Sequence, residues 1–374
     1  MKRSSSDPSP PMRLALRLAR RGRGRTAPNP MVGAVVVRDG RIVGEGYHRK
    51  VGGPHAEVFA LEGAGPLARG ADLYVTLEPC CHQGRTGPCT ERITEAGIAR
   101  VVVALEDPFP AVAGKGIAFL REAGVRVEVG DGEEEARVLN EAYLCRVEKG
   151  RPWVDVKMAA TMDGFAADRR GRSQWITGEK ARARVHRMRR GSDAILVGSG
   201  TVLADDPRLT VRSGSRVSEP IRVVLDGRLR TPPTARLIGG GDPGRVIVAT
   251  RRDAPTRKRE RLLAAGVVVW TLPAERGEGV RLLPLLERLA GAGVNRLLVE
   301  GGAAVAGAFV REGVADRIHL FIAPRLLGSG RSAFAGLGAL AVGAPWEGRV
   351  ASLRRWGGDL EIQVVPGGEA CSQG

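Results

Sequence analysis

Short, almost wholly apolar runs bounded by glycine, proline or acidic turns recur along this 374-residue chain, and they restrict the fold more than any other feature. MVGAVVV (31–37), DLYVTLE (72–78), RVVVALED (100–107), AILVGSG (194–200), IRVVLDG (221–227), RVIVAT (245–250) and RLLVEGG (296–302) are each too short for a buried helix. They lack the polar alternation of a half-exposed strand, so they read as strands covered on both faces. Between them lie helical stretches at 12–21, 55–63, 89–96, 116–123, 178–190, 280–291 and 303–312. Strand alternating with helix, with buried strands, predicts α/β architecture with largely parallel pairing.

The polar, turn-forming Glu148-Lys-Gly-Arg-Pro152 divides the series into two α/β domains, placed at 12–149 and 150–365. Residues 1–11 and 366–374 read as flexible tails. No internal repeat relates the halves. No run approaches 18 uninterrupted apolar residues, so no membrane span is expected. The basic N-terminus is interrupted by Arg13 and Arg17 and is not a secretory leader. Five cysteines, two of them adjacent at 80 and 81, make a poor disulfide framework and suit a reducing, cytoplasmic setting. The net charge of +17 is mostly arginine, spread through both halves, and aromatics are only 4%. A single-strand nucleic-acid groove interleaves aromatics with its basic residues. The charge therefore reads better as a protein that binds small phosphorylated ligands, and no nucleic-acid partner is expected.

One constellation carries chemistry. Pro54-His55-Ala56-Glu57 opens a helix, and residues two apart do not share a helix face. His55 and Glu57 can converge only beyond the helix start. A strand ends in Thr76-Leu77-Glu78-Pro79-Cys80, and Cys89 begins a further helix. One imidazole and two thiolates leave the fourth tetrahedral position of Zn2+ open for water, as in catalytic rather than structural zinc. Glu57, not needed as a ligand, is then free to move protons. The order His-x-Glu, then Pro-Cys and a second cysteine is that of zinc-dependent nucleobase deaminases. The spacing is widened here, and Cys81 stands beside the first ligand as a bystander.

The widened loop Cys81-His82-Gln83-Gly84-Arg85-Thr86-Gly87-Pro88 resembles that of the bifunctional riboflavin-biosynthesis deaminase–reductases, although Gly87 stands where that family usually has proline. Pro28-Asn29-Pro30-Met31-Val32-Gly33, Gly46-Tyr47-His48, Met162-Asp163-Gly164, Ser173-Gln174-Trp175-Ile176-Thr177, Val202-Leu203-Ala204-Asp205-Asp206-Pro207 and Glu300-Gly301-Gly302 extend the resemblance over roughly 12–365. It implies a cytidine-deaminase-like α/β/α domain followed by a dihydrofolate-reductase-like α/β domain. It also implies Zn2+ and NADPH as cofactors, a phosphorylated pyrimidine substrate, and a homo-oligomer. The two steps would be hydrolytic loss of a ring amino group, then reduction of ribose to ribityl.

By the same resemblance, Glu57 is the catalytic residue and His55, Cys80 and Cys89 hold the metal. Asn29, His48, His82 and Arg85 would contact the first substrate. Ser173, Arg189, Leu209, Arg212 and Glu300 would contact the second, the arginines suiting a phosphate. Ala159, Trp175, Thr201, Asp205 and the stretch Gly302, Ala303, Ala304, Val305, Ala306, Gly307, Ala308 would face NADPH, with glycine turns after the strands at 194–198 and 296–300 offering backbone N–H groups. Lys157 and Asp163 have no assigned role. Gly239-x-Gly241-x-x-Gly244 spells a dinucleotide fingerprint but leads into a strand, so it reads as a surface loop. The alternative is a nucleic-acid-editing zinc deaminase with a basic accessory domain.

Overall fold

The computed structural model describes residues 7–83, 87–211, 219–274, 279–338 and 340–367. Contacts divide the chain into two compact units between Gly150 and Arg151.

The first unit contains α1 (Pro10–Ala19), β1 (Gly33–Arg38), β2 (Arg41–Tyr47), α2 (Ala56–Ala64), β3 (Asp72–Val75), α3 (Cys89–Glu95), β4 (Arg100–Val103), α4 (Lys115–Glu122), β5 (Arg126–Val129) and α5 (Glu133–Lys149). Its sheet runs β2-β1-β3-β4-β5, antiparallel across β2, β1 and β3 and parallel across β3, β4 and β5. Successive strand side chains point to opposite faces. Accordingly Ala34, Val36, Leu73, Val75, Val101 and Val103 pack in the layer of α2, α3 and α4, while Val35 and Val102 join Met12, Leu16, Leu139 and Leu144 of α1 and α5. The helices lie very close to the sheet. A Cβ at Gly46 would come within 2.1 Å of the Ala56 carbonyl oxygen, so only glycine lets the first turn of α2 sit where it does.

The second unit contains β6 (Trp153–Thr161), β7 (Phe165–Ala167), α6 (Glu179–Arg190), β8 (Ala194–Gly198), α7 (Ser199–Asp205), β9 (Ile221–Leu225), α8 (Arg236–Gly239), β10 (Val246–Arg251), α9 (Thr256–Ala264), β11 (Val268–Leu272), α10 (Leu282–Gly291), β12 (Arg296–Val299), α11 (Ala303–Arg311), β13 (Arg317–Ala323), β14 (Arg331–Ser332), β15 (Gly348–Trp356) and β16 (Asp359–Pro366). A nine-stranded sheet has the order β11-β10-β9-β8-β12-β6-β13-β16-β15. It is parallel from β11 to β13 and antiparallel over the last two strands. α10 and α11 cover one face, with Leu285, Leu289 and Phe309 in the core; α6 and α9 contribute to the other.

Both halves are α/β, as the strand pattern requires, and three local readings change. The first helix begins at Pro10, inside the stretch read as a tail. Ser9 caps it by accepting from the Met12 N–H, and donates its own N–H and hydroxyl to Asp131. Proline is tolerated in a first turn, so a Ser-Pro sequence that looks like a loop is a helix start. The residues read as a glycine turn at 199–201 open α7. The β15–β16 hairpin and α5 carry no continuous apolar run and escape a search for buried segments. The glycine-rich 239–244 stretch does lead into β10, and the buried Arg222 guanidinium braces it by donating to the Leu237 and Asp242 carbonyls.

The C-terminal unit buries a chain of charges. His319 lies between two carboxylates, Nε2 3.1 Å from Asp155 Oδ1 and Nδ1 2.9 Å from Glu361 Oε1. Burial pushes its pKa down, but the two acidic hydrogen-bond partners outweigh burial and lift it above the ordinary value. Burial likewise opposes ionisation of the carboxylates. Even so, Arg296 and His319 hold Asp155 below the usual range, and His319 with Arg184 brings Glu361 to about 2. A raised histidine pKa gives stability that is complete below about 6.5 and lost as pH rises through the folded value; lowered carboxylates give stability present above about 4 and lost on acidification. His319→Gln is expected to cost roughly 3–5 kcal/mol at pH 6, because one partner leaves a buried charge set. The loss should shrink as pH rises through the folded pKa of the wild-type imidazole. Urea unfolding of both proteins at pH 6, 8 and 10 checks this; a loss independent of pH would mean that His319 is neutral throughout.

Candidate active sites

In the N-terminal unit the sheet edge and two helix starts converge. His55 is the N-cap residue of α2, Glu57 lies in its first turn, and Cys89 is the first residue of α3. His55 Nδ1 is 3.2 Å from Cys89 Sγ and 3.4 Å from Cys80 Sγ, and the three ligand atoms lie within 4.8 Å of one another. Tetrahedral zinc with bonds of about 2.0 Å to nitrogen and 2.3 Å to sulfur separates its ligands by roughly 3.5–3.8 Å, so the trio fits that ion. The Cys89 backbone N–H points at Cys80 Sγ at 3.4 Å. Hydrogen bonds from Cys89 and His55 hold the Cys80 thiol at about 4, despite its burial, and the neighbouring thiolate pushes Cys89 upward. Cys81 turns away from the cluster, its sulfur 3.9 Å from the Ala111 carbonyl.

Glu57 is 3% exposed, and its Oε2 is buried with no hydrogen-bond partner among the described residues. Burial raises its pKa above the ordinary glutamate value. A buried, unpaired carboxylate oxygen beside a three-ligand metal cluster is an acceptor waiting for a proton donor.

A cavity of about 200 Å3 opens here, lined among others by Asn29, His48, His55, Glu57, Cys80 and His82. His48 Nδ1 lies 3.0 Å from the Pro54 carbonyl, leaving Nε2 3.3 Å from the Asn29 amide nitrogen. Burial lowers the His48 pKa, so the ring is a neutral acceptor toward Asn29. His82 is at the rim, 6.3 Å from the Phe109 ring. Arg85 lies outside the described residues. Asp107 and Tyr143 also line the cavity, and sequence reasoning passed over both. The Tyr143 hydroxyl donates to Asp107 at 2.9 Å. From α5, Asn140 exchanges two hydrogen bonds with the Met31 backbone and Arg146 donates to the Pro28 carbonyl, so the helix missed in the sequence clamps the Pro28–Met31 loop.

In the C-terminal unit a larger cavity, about 580 Å3, lies over the carboxyl ends of β6, β8 and β12. Ala159, Ser173, Trp175, Arg189, Thr201, Asp205, Leu209, Glu300, Gly302 and Ala303 all reach it. Gly302 caps α11, and its N–H donates to Thr201 Oγ1 at 3.2 Å, joining the two glycine-bearing turns. The remaining cofactor candidates do not line the cavity. Ala306 is fully buried, Val305 and Ala308 pack on the core, and Gly307 lies against residues 336–337, while Ala304 is exposed on the helix. A helix turns successive residues away from any one ligand, so only its first residues reach the cavity. Arg212 lies outside the described residues. The Arg189 guanidinium already forms a two-pronged pair with Glu300, at 2.5 and 2.8 Å, which leaves only part of its fork for a phosphate. Lys157 faces the same cavity, its pKa lowered by burial. Asp163 instead fastens a turn by accepting from the Leu327 and Gly328 N–H groups.

Glu78 is a further buried carboxylate of the first site. Its Oε1 accepts from the N–H groups of Gly116 and Ile117, at 2.9 and 3.1 Å, and its Oε2 from those of Gly114 and Asp107, at 3.0 and 3.2 Å. A Cβ at residue 116 would come within 2.1 Å of the Pro79 carbonyl oxygen, so glycine is required for this approach. Two residues before Cys80, one side chain thus fixes the loop that carries Asp107 and Phe109. Glu78→Gln puts an NH2 group against two of these donors, each then costing roughly 1–3 kcal/mol. The expected result is a fall in denaturant midpoint of the first unit with zinc stoichiometry retained by metal analysis; an unchanged midpoint would show that the loop holds itself.

A known family model matches each half of the chain. Residues 6–105 match the model of the cytidine and deoxycytidylate deaminase zinc-binding region, and residues 152–360 that of the RibD C-terminal domain. A riboflavin biosynthesis protein RibD from Bacillus amyloliquefaciens is 48% identical, over 85% of this chain and 84% of its own. A solved Acinetobacter baumannii RibD superposes with a TM-score of 0.87 at 39% identity, covering 95% and 98% of the two chains. A Thermotoga maritima structure described as a diaminohydroxyphosphoribosylaminopyrimidine deaminase / 5-amino-6-(5-phosphoribosylamino)uracil reductase gives 0.83 at 38%, covering 95% and 97%. Among the described residues no helix is long and apolar enough to cross a membrane. With a zinc-binding deaminase half and an NADPH-using reductase half, this chain belongs to the RibD family of bifunctional riboflavin-biosynthesis enzymes.

Proposed function

We propose that the two halves carry out consecutive steps on one ribosylated pyrimidine phosphate. The first hydrolyses the ring amino group of 2,5-diamino-6-ribosylamino-4(3H)-pyrimidinone 5′-phosphate. The second reduces the ribose of the product, giving 5-amino-6-ribitylamino-uracil 5′-phosphate. The observation that carries the reading is the orphaned Glu57 oxygen beside the His55, Cys80 and Cys89 cluster. When bound, zinc is a Lewis acid that brings the pKa of a coordinated water to roughly 7. Glu57 Oε2 takes the proton of the attacking water and returns it to the departing amino nitrogen, so a C–O bond forms, the C–N bond breaks and ammonia leaves. Its raised pKa suits both halves of that transfer. Asn29, with neutral His48 behind it, reads the ring edge, and His82 stands at the mouth for the ribose phosphate, with Arg85 as its partner in that role.

In the second half NADPH, when bound, would supply the hydride that replaces the C1′–O4′ bond of the ribose, with O4′ taking up a proton. Gly302 and Ala303 present the start of α11 to its pyrophosphate. Ala159, Trp175, Thr201 and Asp205 frame the rest of the cofactor, while Ser173, Leu209, Glu300 and Arg189 hold the substrate, with Arg212 added for its phosphate. A nucleic-acid-editing deaminase is not favoured, because a complete reductase half follows the zinc half and the relatives match across both. Two thiols that must stay reduced support a cytoplasmic setting. Strand β15, an edge with Val350 and Leu353 exposed, supports self-association into a homo-oligomer. Incubating the purified chain with the diaminopyrimidinone phosphate, with and without NADPH, and weighing the products tests the pathway. A deaminated product that appears only with NADPH would contradict the order of steps.

Glu57→Gln should retain stoichiometric zinc while deamination falls at least ~10²–10⁴-fold. Zinc analysis beside an ammonia assay reads both, and loss of the metal would make Glu57 a ligand or a structural residue. The two activities should also be separable. Residues 1–149 alone are expected to release ammonia without NADPH, and residues 150–374 alone to oxidise NADPH when given the deaminated product. Fragments that fold yet work only when recombined would mean that the active sites are shared.

A further inference from the structure

Asp107 and Tyr143 line the zinc cavity without a part in the zinc chemistry. Both lie beyond residue 105, where the match to the cytidine and deoxycytidylate deaminase zinc-binding region ends. The matched stretch carries His55, Glu57, Cys80 and Cys89. Hydrolysis of a ring amine is therefore provided for within it, and discrimination between one ring and another falls to other walls of the cavity.

The sheet delivers Asp107 to that place. β3 and β4 are parallel neighbours, and their pairing runs on past the strand ends, the Glu78 N–H donating to the Leu105 carbonyl at 2.9 Å. Two residues further along, one segment presents Cys80 and the other Asp107. The Asp107 side chain is gripped before any ligand arrives. Its Oδ1 accepts from the Phe109 N–H and from the Tyr143 hydroxyl, both at 2.9 Å. Its Oδ2 has only the longer approach of the same hydroxyl, at 3.2 Å. A carboxylate oxygen accepts two hydrogen bonds, so Oδ2 keeps capacity for a donor in the cavity. Burial raises the Asp107 pKa, while the Phe109 and Tyr143 bonds oppose that rise and favour the ionised acceptor. Asp107 is 6% exposed, whereas Phe109 is 40% exposed and stands beside His82 at the rim. Asp107 thus meets a ring inside the cavity, not a ribose phosphate at its mouth.

A carboxylate repels the ring carbonyl and the phosphate and attracts N–H donors. The amino group on C2 is the one lost, since the one on C5 survives in the product. C5 lies directly across the ring from C2, so its amino group points away from the metal when C2 faces it. Cytosine carries hydrogen on C5, which makes this amino group the donor that separates the diaminopyrimidinone from cytosine nucleotides. We infer that Asp107 Oδ2 accepts a hydrogen bond from the C5 amino group, with Tyr143 holding the carboxylate in position, and that the pair selects a 5-aminopyrimidine over a ring with hydrogen there. The inference rests on the deaminase reading of the first half.

Ammonia release by the zinc-loaded full chain, with the diaminopyrimidinone phosphate and with its analogue lacking the C5 amino group, tests this. The wild type is expected to favour the diamino compound in kcat/KM at least about tenfold, as a hydrogen bond to a charged acceptor allows. Asp107→Asn keeps Oδ1 for the Phe109 N–H and puts an NH2 group where Oδ2 stood, against the C5 amino group. It should lower kcat/KM at least about tenfold for the diamino compound alone, bringing the ratio near one with zinc content unchanged. Tyr143→Phe leaves the carboxylate but removes its hydroxyl donor, and should lower the same ratio about threefold. If Asp107→Asn does not fold, Tyr143→Phe carries the test, and an unchanged ratio there overturns the inference. A wild type that turns over both compounds equally also overturns it, as does an equal loss on both in Asp107→Asn, which would make Asp107 a structural support. In each of these cases the deaminase reading stands. A wild type that releases ammonia from neither compound overturns that reading first, and the inference with it.

Discussion

Parallel strand pairing is the constraint from which the rest of this structure follows. Two parallel neighbours cannot be joined by a tight turn, so each strand must be followed by a long crossover, and the crossovers leave from the same edge. In the first unit the segments after β3 and β4 therefore deliver Glu78, Cys80 and Asp107 to one place. In the second, the segments after β8 and β12 deliver Thr201, Glu300 and Gly302 to one edge. Neither set is contiguous in sequence. Each becomes a site because the hydrogen-bond ladders fix the strand ends side by side.

Buried charge then decides how firmly those residues are held. Glu78 spends a full carboxylate on four backbone N–H groups, and so converts a loop into a wall of the zinc cavity. Glu300 and Arg189 do the same for each other at the floor of the reductase cavity. Taking such groups out of water is costly, and it is offset only when nearly every lone pair and proton finds a partner. Against that background Glu57 stands out, because its Oε2 is left without a partner among the described residues and lies beside the metal-ligand cluster. Glu57 lines the first cavity, where a bound proton donor would complete it.

The zinc site was legible in the sequence because its parts are local. His55 and Glu57 share one helix start, Cys80 ends a strand run, and Cys89 starts a helix, so motif order already implied convergence. The reductase candidates came only through resemblance, and of the stretch Gly302–Ala308 only Gly302 and Ala303 line the cavity. Asp107, Tyr143 and Asn140 carried no signal, since a polar residue in a loop or on a charged helix looks solvated until its partner is seen.

By itself, then, the sequence determined the α/β class, the motif that brings the candidate ligands His55, Cys80 and Cys89 together, and the family. Periodicity and short-range motifs are set by chain geometry within a few residues, and they survive without knowledge of what lies across the fold. Strand order, the clamp of α5 on the Pro28–Met31 loop, the pairing of Arg189 with Glu300 and the hold of Tyr143 on Asp107 were decided only by tertiary structure. Each joins residues through sheet registers and helix packing, where the free energy depends on partners more than twenty residues away that no local pattern encodes.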